Sequence, residues 1–290
     1  MKRLVRWLLA AVLVITLLLG ALFSVGYFHY RQAAGTQYAV NDPPLSLPDD
    51  SDAMARGAHL FITRGCGDCH SADGGGAELM DAGPVARVVA ANITPRALAA
   101  RGYSADKIAA AIRHGVGADG RPLFFMPAGD WHNMSDQDVA ALVAYLGSLP
   151  DQPRDPGQSE LRPLGWVLNM FGQFPAYPAA AIDHSPRPRS APEAKADAAY
   201  GAYLVETCKG CHGADLRGGL VHAPGTPPSS DLTRLGQAGW KRDDFIRAMR
   251  EGRRPDGREL DPFMPWRSMG QMSELELRAL WAHLQTLSAE

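Results

Sequence analysis

Cysteine is scarce in this chain, four residues in 290, and that leaves little room for a framework of structural disulfides. Charge of either sign is nearly balanced: 29 basic residues stand against 31 acidic ones, a net −2. Setting aside Lys2, Arg3 and Arg6, which precede the first apolar run, leaves 26 basic residues against 31 acidic ones, or −5. A mildly acidic body lacks the basic footprint of a nucleic-acid-binding protein, so no nucleic acid is expected as a partner. After the first thirty residues no apolar run is long enough to cross a bilayer. The length allows about two domains plus extras.

What is present turns on one short pattern that occurs twice. Cys66-Gly67-Asp68-Cys69-His70 and Cys208-Lys209-Gly210-Cys211-His212 both read C-x-x-C-H, and together they use all four cysteines. This spacing marks c-type haem attachment. Two thiols two residues apart on a helical turn can each form a thioether to a porphyrin vinyl group, and the next histidine then lies under the iron as its proximal ligand. Two covalently bound haem c groups are therefore expected. A four-cysteine zinc site or a pair of thiol-redox motifs explains neither histidine.

The N-terminus reads MKRLVRW and leads into an uncharged apolar run from about Trp7 to Phe28. That length spans a hydrocarbon core of about 30 Å as a helix. The basic residues before it keep the N-terminus in the cytoplasm. A cleaved signal peptide has a shorter apolar region, usually about 7–15 residues, and a small-residue cleavage site, which is missing here. Residues 1–30 are thus read as a transmembrane anchor, single-pass in the cell inner membrane, with everything after it on the periplasmic side. Residues 31–52 form a polar spacer with Pro43, Pro44 and Pro48.

The first domain is expected over residues 53–150. Ser51 or Asp52 caps a helix from Ala53 to about Arg64 that delivers the first haem motif. A Gly-rich loop at 74–76 follows, then Asn92-Ile93-Thr94-Pro95, a helix from Ser104 to about His114, an Asp119-Gly120 turn, Phe125-Met126-Pro127, and a last helix from Ser135 to about Leu149. Ser135 with Asp138 imitates a capping box. Residues 151–194 are a Pro-rich linker, since nine of the 22 prolines fall between 150 and 192. Its apolar middle, Leu161 to Phe174, is expected to pack on one or both domains and fix their relative position. The lack of a basic face argues against membrane-surface contact. The second domain, 195–290, repeats the first: Ala202-Tyr203-Leu204 echoes Ala58-His59-Leu60, Asp231-Leu232-Thr233 echoes Asn92-Ile93-Thr94, and Phe263-Met264-Pro265 echoes Phe125-Met126-Pro127. In the last helix Leu277, Leu280, Trp281, Leu284 and Leu287 match Val139, Leu142, Val143, Leu146 and Leu149 at a constant offset, behind a second capping pair, Ser273 with Glu276.

A low-spin haem needs a second axial ligand, and a neutral, soft thioether favours ferrous iron and raises the potential. Met126 and Met264 stand at equivalent points of the repeat, each before a loop-fixing proline. The expected metal ligands are thus His70 with Met126 and His212 with Met264. The rivals are Met80, Met134, His114 and His132 in the first domain and His222, Met249, Met269 and Met272 in the second. Met134 and Met272 precede capping serines, where an apolar residue staples a helix start. His132 and His222 have no counterpart in the other repeat and read as surface histidines. Arg250, Arg253, Arg254 and Arg258 read as a solvated face, or else as partners for haem propionates or an acidic protein.

Residues 53–149 and 195–288 resemble class I cytochrome c domains. The matching segments are CGDCH, NITP, RHG, DGR, FMP and ALVAYL in the first copy, and CKGCH, DLT, REG, DGR, FMP and ALWAHL in the second. More narrowly the chain is similar to membrane-anchored cytochrome c subunits of bacterial alcohol, aldehyde and gluconate dehydrogenases. Those subunits usually carry three haems, and the second copy here lacks the proline of the Asn-x-Thr-Pro segment. The resemblance implies an all-α protein in which a transmembrane helix is followed by two tandem cytochrome c domains. It implies electron transfer from a dehydrogenase subunit or quinol-linked complex to a terminal acceptor such as an oxidase, with no catalytic residues of its own. The competing class is a di-haem enzyme, either a cytochrome c peroxidase or a sulfur-compound dehydrogenase. The first needs one open haem, whereas both haems here have a methionine candidate. A His/Cys haem of the second kind needs a fifth cysteine.

Overall fold

Helices occupy about half of the chain, and the computed structural model describes residues 2–222 and 225–287. Helix α1 covers Lys2–Gly35, longer than the apolar run that nucleates it. Its exposed surface is almost wholly apolar up to Phe28. The first repeat contains α2 (Ser51–Thr63), α3 (Cys66–His70), α4 (Pro95–Ala100), α5 (Ala105–His114) and α6 (Asp136–Ser148). Helix α7 (Pro163–Met170) belongs to the linker. The second repeat contains α8 (Ala198–Leu204), α9 (Glu206–His212), α10 (Arg242–Glu251), α11 (Trp266–Met269) and α12 (Glu274–Leu287).

The helix start before the first haem motif differs from expectation by one residue. Asp50 is the cap, because its Oδ1 accepts the backbone N–H groups of Asp52 (3.1 Å) and Ala53 (2.9 Å). A larger difference lies between the Gly-rich loop and Asn92. There β1 (Ala77–Asp81) and β2 (Ala86–Ala90) form an antiparallel hairpin. The third strand, β3 (Glu160–Leu161), comes from the linker. Ala86, Val88 and Ala90 alternate inward, and Ala86 and Val88 meet Leu161 and Ala176 in a small apolar cluster. The Pro-rich linker is therefore an ordered strap over the first repeat. It also packs on α1: Gly26 comes so close to α7 that an added Cβ would stand 3.1 Å from the Trp166 carbonyl carbon.

Each repeat is built on one helix crossing. Helix α2 meets α6 at Gly57, where a Cβ would come within 2.2 Å of the Ala141 carbonyl oxygen. Helix α8 meets α12 at Gly201, where a Cβ would come within 2.0 Å of the Ala279 carbonyl oxygen. Only glycine permits such an approach. Leu60, Phe61, Val139, Leu142 and Leu146 fill the core behind the first crossing, and Leu204, Leu277, Leu280 and Leu284 fill the core behind the second.

The two repeats face each other through matching positions, and these contacts, rather than the linker alone, hold them together. Tyr203 stands where His59 stands, and Glu276 where Asp138 stands. The His59 Nε2 meets the Glu276 carboxylate at 2.7 Å, and the Tyr203 hydroxyl donates to Asp138 at 2.6 Å. Arg56 lies between the two carboxylates. Its Nε and Nη2 donate to Asp138 at 2.9 and 3.0 Å, and its Nη1 donates to Glu276 at 3.0 Å. Both acids are buried. Arg64 adds bonds to the Leu204 carbonyl (3.2 Å) and the Thr207 hydroxyl (2.8 Å). The expected capping boxes are consequently unequal. Ser273 and Glu276 exchange both bonds, whereas Asp138 turns its carboxylate to Arg56 and Tyr203 and only its N–H reaches Ser135.

Candidate functional site

Each C-x-x-C-H is a single helical turn whose histidine is aimed by a backbone carbonyl. The His70 Nδ1 donates to Ala91 O at 2.7 Å, and the His212 Nδ1 to Ser230 O at 2.7 Å. That bond fixes the tautomer and leaves Nε2 as the free ligating nitrogen. Burial lowers the pKa of both imidazoles against the opposing pull of these carbonyls, so both stay neutral, the form that binds a metal. The carbonyls are placed by the next residues. The Asn92 Oδ1 accepts from the Thr94 N–H (3.0 Å) and hydroxyl (2.7 Å), and Asp231 accepts the same pair from Thr233 at 2.9 and 2.6 Å. The shared Asx-x-Thr segment is thus the clamp that orients the proximal histidine. It works without the following proline, which the second copy lacks.

The thiols are sunk beside them. Burial pushes Cys66 and Cys208 each up to about 12 and also raises Cys69 and Cys211. No disulfide joins any two of them. Among the described residues no cluster of three or more His, Cys, Asp or Glu side chains could hold a metal ion, which removes the zinc alternative.

The methionine loops share one backbone course. The Gly120 N–H bonds to Gly117 O and the Gly257 N–H to Arg254 O, both at 3.0 Å. The Ala128 N–H returns to Met126 O and the Trp266 N–H to Met264 O, both at 2.8 Å. In the second repeat Met264, Cys208, Cys211 and His212 line one cavity of about 300 Å³. Trp240, Phe263 and Arg254 also face it. The lining fits a haem in its chemistry: two thiols, a neutral histidine, a thioether, apolar walls and a guanidinium that can meet a carboxylate.

The rival ligands sort by their partners. His114 has both ring nitrogens occupied, by Asp42 and His184, each at 3.0 Å. His132 bonds Arg113 O at 3.0 Å and Arg187 at 2.7 Å, and it is buried, not a surface residue. The strap's arginine and the α5 carbonyl enclose it, which its lack of a counterpart did not reveal. His222 is exposed, as expected, but it also lines the cavity; its ring stacks on Phe263 and its Nε2 meets Cys211 O at 2.7 Å. Met134 and Met272 are buried ahead of α6 and α12. Met249, Met269 and Met272 touch the cavity from the core side. Of the basic cluster only Arg254 faces the cavity, where it reaches the Ser230 hydroxyl at 3.4 Å. Arg250 donates to Gly270 O, Arg258 pairs with Asp256, and Arg253 is exposed.

A model of the cytochrome c family matches residues 54–150 and 198–288. The chain belongs to the cytochrome c family. The cytochrome is 23% identical over 282 residues to the fructose dehydrogenase cytochrome subunit of Gluconobacter japonicus, covering 89% of this chain and 57% of that subunit. It is 33% identical over 184 residues to the gluconate 2-dehydrogenase cytochrome c subunit of Pantoea cypripedii, covering 58% of this chain and 40% of that subunit. A di-haem cytochrome c-type protein of Cereibacter sphaeroides is 27% identical over 292 residues, covering 88% of this chain and 92% of that protein. The chain thus spans about half the length of the two dehydrogenase subunits.

The two sites of this cytochrome are not independent. Each methionine loop rests on the other repeat's C-x-x-C-H turn. Ser268, four residues after Met264, bonds Asp68 of the first motif. Asp130, four residues after Met126, lies against Gly210 of the second, where a Cβ would stand 2.4 Å from both carboxylate oxygens. Sequence reasoning had no reason to single out Asp130. Burial pushes its carboxyl up to about 7. Because its folded pKa is raised, stability is full below the unfolded value of 3.8 and declines as pH rises through about 7. Asp130→Asn is therefore expected to gain about 2 kcal/mol in urea unfolding at pH 8 and to be near neutral at pH 4.

Proposed function

We propose that this cytochrome is a membrane-anchored electron carrier with two haem c groups, one in each of two domains at 53–150 and 195–290. Haem c supplies the one-electron ferric/ferrous couple. Cys66 and Cys69, then Cys208 and Cys211, hold the two groups. His70 with Met126, and His212 with Met264, would hold the two irons. The observation that carries this reading is the repeated histidine clamp, Nδ1 on a carbonyl at 2.7 Å in both copies, with a methionine loop of the same course in each repeat. Helix α1 anchors the chain in the inner membrane, the basic N-terminus stays inside, and both domains lie on the periplasmic side. The donor is a dehydrogenase or a quinol-linked complex and the acceptor a terminal oxidase or its carrier. The chain performs no bond-making chemistry itself.

The optical spectrum of the purified protein tests this, oxidised and reduced, with and without carbon monoxide. Two low-spin haems with a sulfur-to-iron charge-transfer band and no carbon monoxide shift are expected. A high-spin haem, or one that binds carbon monoxide, would move the assignment to a di-haem enzyme with an open iron.

A further inference from the structure

Among the described residues, helix α7 and its cap leave an apolar face that is partly exposed. Gly165 and Val167 are buried, with Gly165 pressed against the Val85 carbonyl, and Trp166 fixes its indole by donating to Leu161 O at 2.7 Å. Leu164, Leu168 and Phe171 follow one another at i, i+4 and i+7. Leu164 is 40% exposed and Phe171 63%. No charged residue lies within the helix. Helix α7 packs on α1 at Gly26, near the end of the run Trp7–Phe28, which at 1.5 Å per residue is about 33 Å long. Beside that contact α1 exposes apolar side chains at Val25 (57%) and Phe28 (69%). Rings collect at this level. Tyr27 meets Trp166 at 4.9 Å and Tyr30 stacks on Tyr177 at 5.9 Å. Tyr and Trp are the residues that mark a membrane–water boundary.

We propose that α7 is a second membrane contact, lying in the outer-leaflet boundary beside α1 with Leu164, Leu168 and Phe171 among the lipid chains. This rests on the reading of α1 as a membrane anchor. The lack of a basic face does not oppose it, because α1 supplies the attachment and α7 only has to lie in the lipid it reaches. The foot also orients the body. Phe125, next to Met126, stacks on Phe174 at 5.6 Å, and its N–H bonds Ala176 O at 2.8 Å, so the first methionine loop is tied to the segment that leaves the membrane.

The test is reaction of single introduced thiols with a charged, membrane-impermeant maleimide, using the full-length holoprotein in lipid vesicles at about one chain per vesicle. The variants are Leu164→Cys, Phe171→Cys, Val14→Cys within α1, and Leu275→Cys, an exposed site on α12. Labelling of each SDS-unfolded chain sets the full extent. Positions 164 and 171 are expected to react at least tenfold more slowly than 275, as position 14 does. Reaction at 164 and 171 as fast as at 275, with 14 protected, overturns the inference and leaves the anchor standing. Free reaction at 14 overturns both.

Discussion

Met264→Ala is expected to lower the midpoint potential of the second haem by on the order of 100 mV and to open that iron to carbon monoxide. The thioether is a soft, neutral donor that binds ferrous iron better than ferric. A preference of about 2–3 kcal/mol corresponds to that shift for one electron. Met264 lines the same cavity as His212, Cys208 and Cys211, and the loop beneath it is held by bonds from Leu260 and Trp266 that the substitution does not touch. The change should therefore be local, and the first haem should keep its midpoint. Spectroelectrochemical titration with a carbon monoxide difference spectrum reads both. If Met264→Ala keeps the wild-type midpoint and Met249→Ala or Met272→Ala does not, the axial assignment is wrong.

Arg56→Ala is expected to cost about 3–5 kcal/mol in urea unfolding. The arginine sits between Asp138 and Glu276, and removing it leaves two buried carboxylates near each other, answered by His59 and the Ser273 N–H at Glu276 and by Tyr203 at Asp138. Burial pushes Glu276 up, but the bonds from His59, the Ser273 N–H and Arg56 outweigh it and hold the carboxyl down to about 2. Asp138 is held below its ordinary value in the same way, against its burial. Folded-state values below the unfolded ones contribute stability that is present above the unfolded pKa, near 4.5 for Glu276, and lost as pH falls toward 2. The deficit of Arg56→Ala should therefore shrink when wild type and variant are compared at pH 4, because the variant's carboxylates take up protons. Arg278→Ala, which breaks an exposed pair with Glu274, should cost less than about 1 kcal/mol. A deficit for Arg56→Ala that is the same at pH 4 and pH 7 would mean the loss is packing, not charge.

What could be read from the sequence was the chemistry that sits close together along the chain. C-x-x-C-H places two thiols and a histidine on one turn, and Met-Pro marks a constrained loop, so four residues per repeat stand out without any knowledge of the fold. The periodic last helices and the repeat itself were equally plain, because Val139 to Leu146 and Leu277 to Leu284 follow one spacing. The rest depended on residues that meet only after folding. The hairpin of β1 and β2 was missed because Ala77–Asp81 has no strand pattern of its own, and the third strand arrives some seventy residues later. Asp138 and Glu276 read as helix caps, which is half of what they do. The other half needs Arg56 and His59 from α2 and Tyr203 from α8. His132 looked like a surface residue because nothing near it in the chain reveals the strap that buries it. The Asx-x-Thr clamp was visible as a recurring motif, but its task, aiming a carbonyl at a histidine some twenty residues upstream, was not.

The two repeats meet through matching positions, as the halves of a closed dimer do. A true dimer must carry the same side chain at both ends of its axis. Here the copies are joined in one chain and that requirement lapses. At the contact between methionine loop and haem turn, one end has Asp68 with Ser268 and the other has Gly210 with Asp130. At the carboxylate contact, one end has His59 with Glu276 and the other Tyr203 with Asp138. The two candidate haem sites therefore have unlike charged neighbours despite a common scaffold. Two identical carriers would share an electron evenly. Two unequal ones would give it a downhill direction, and the unlike side chains at these two contacts are where such an inequality would arise.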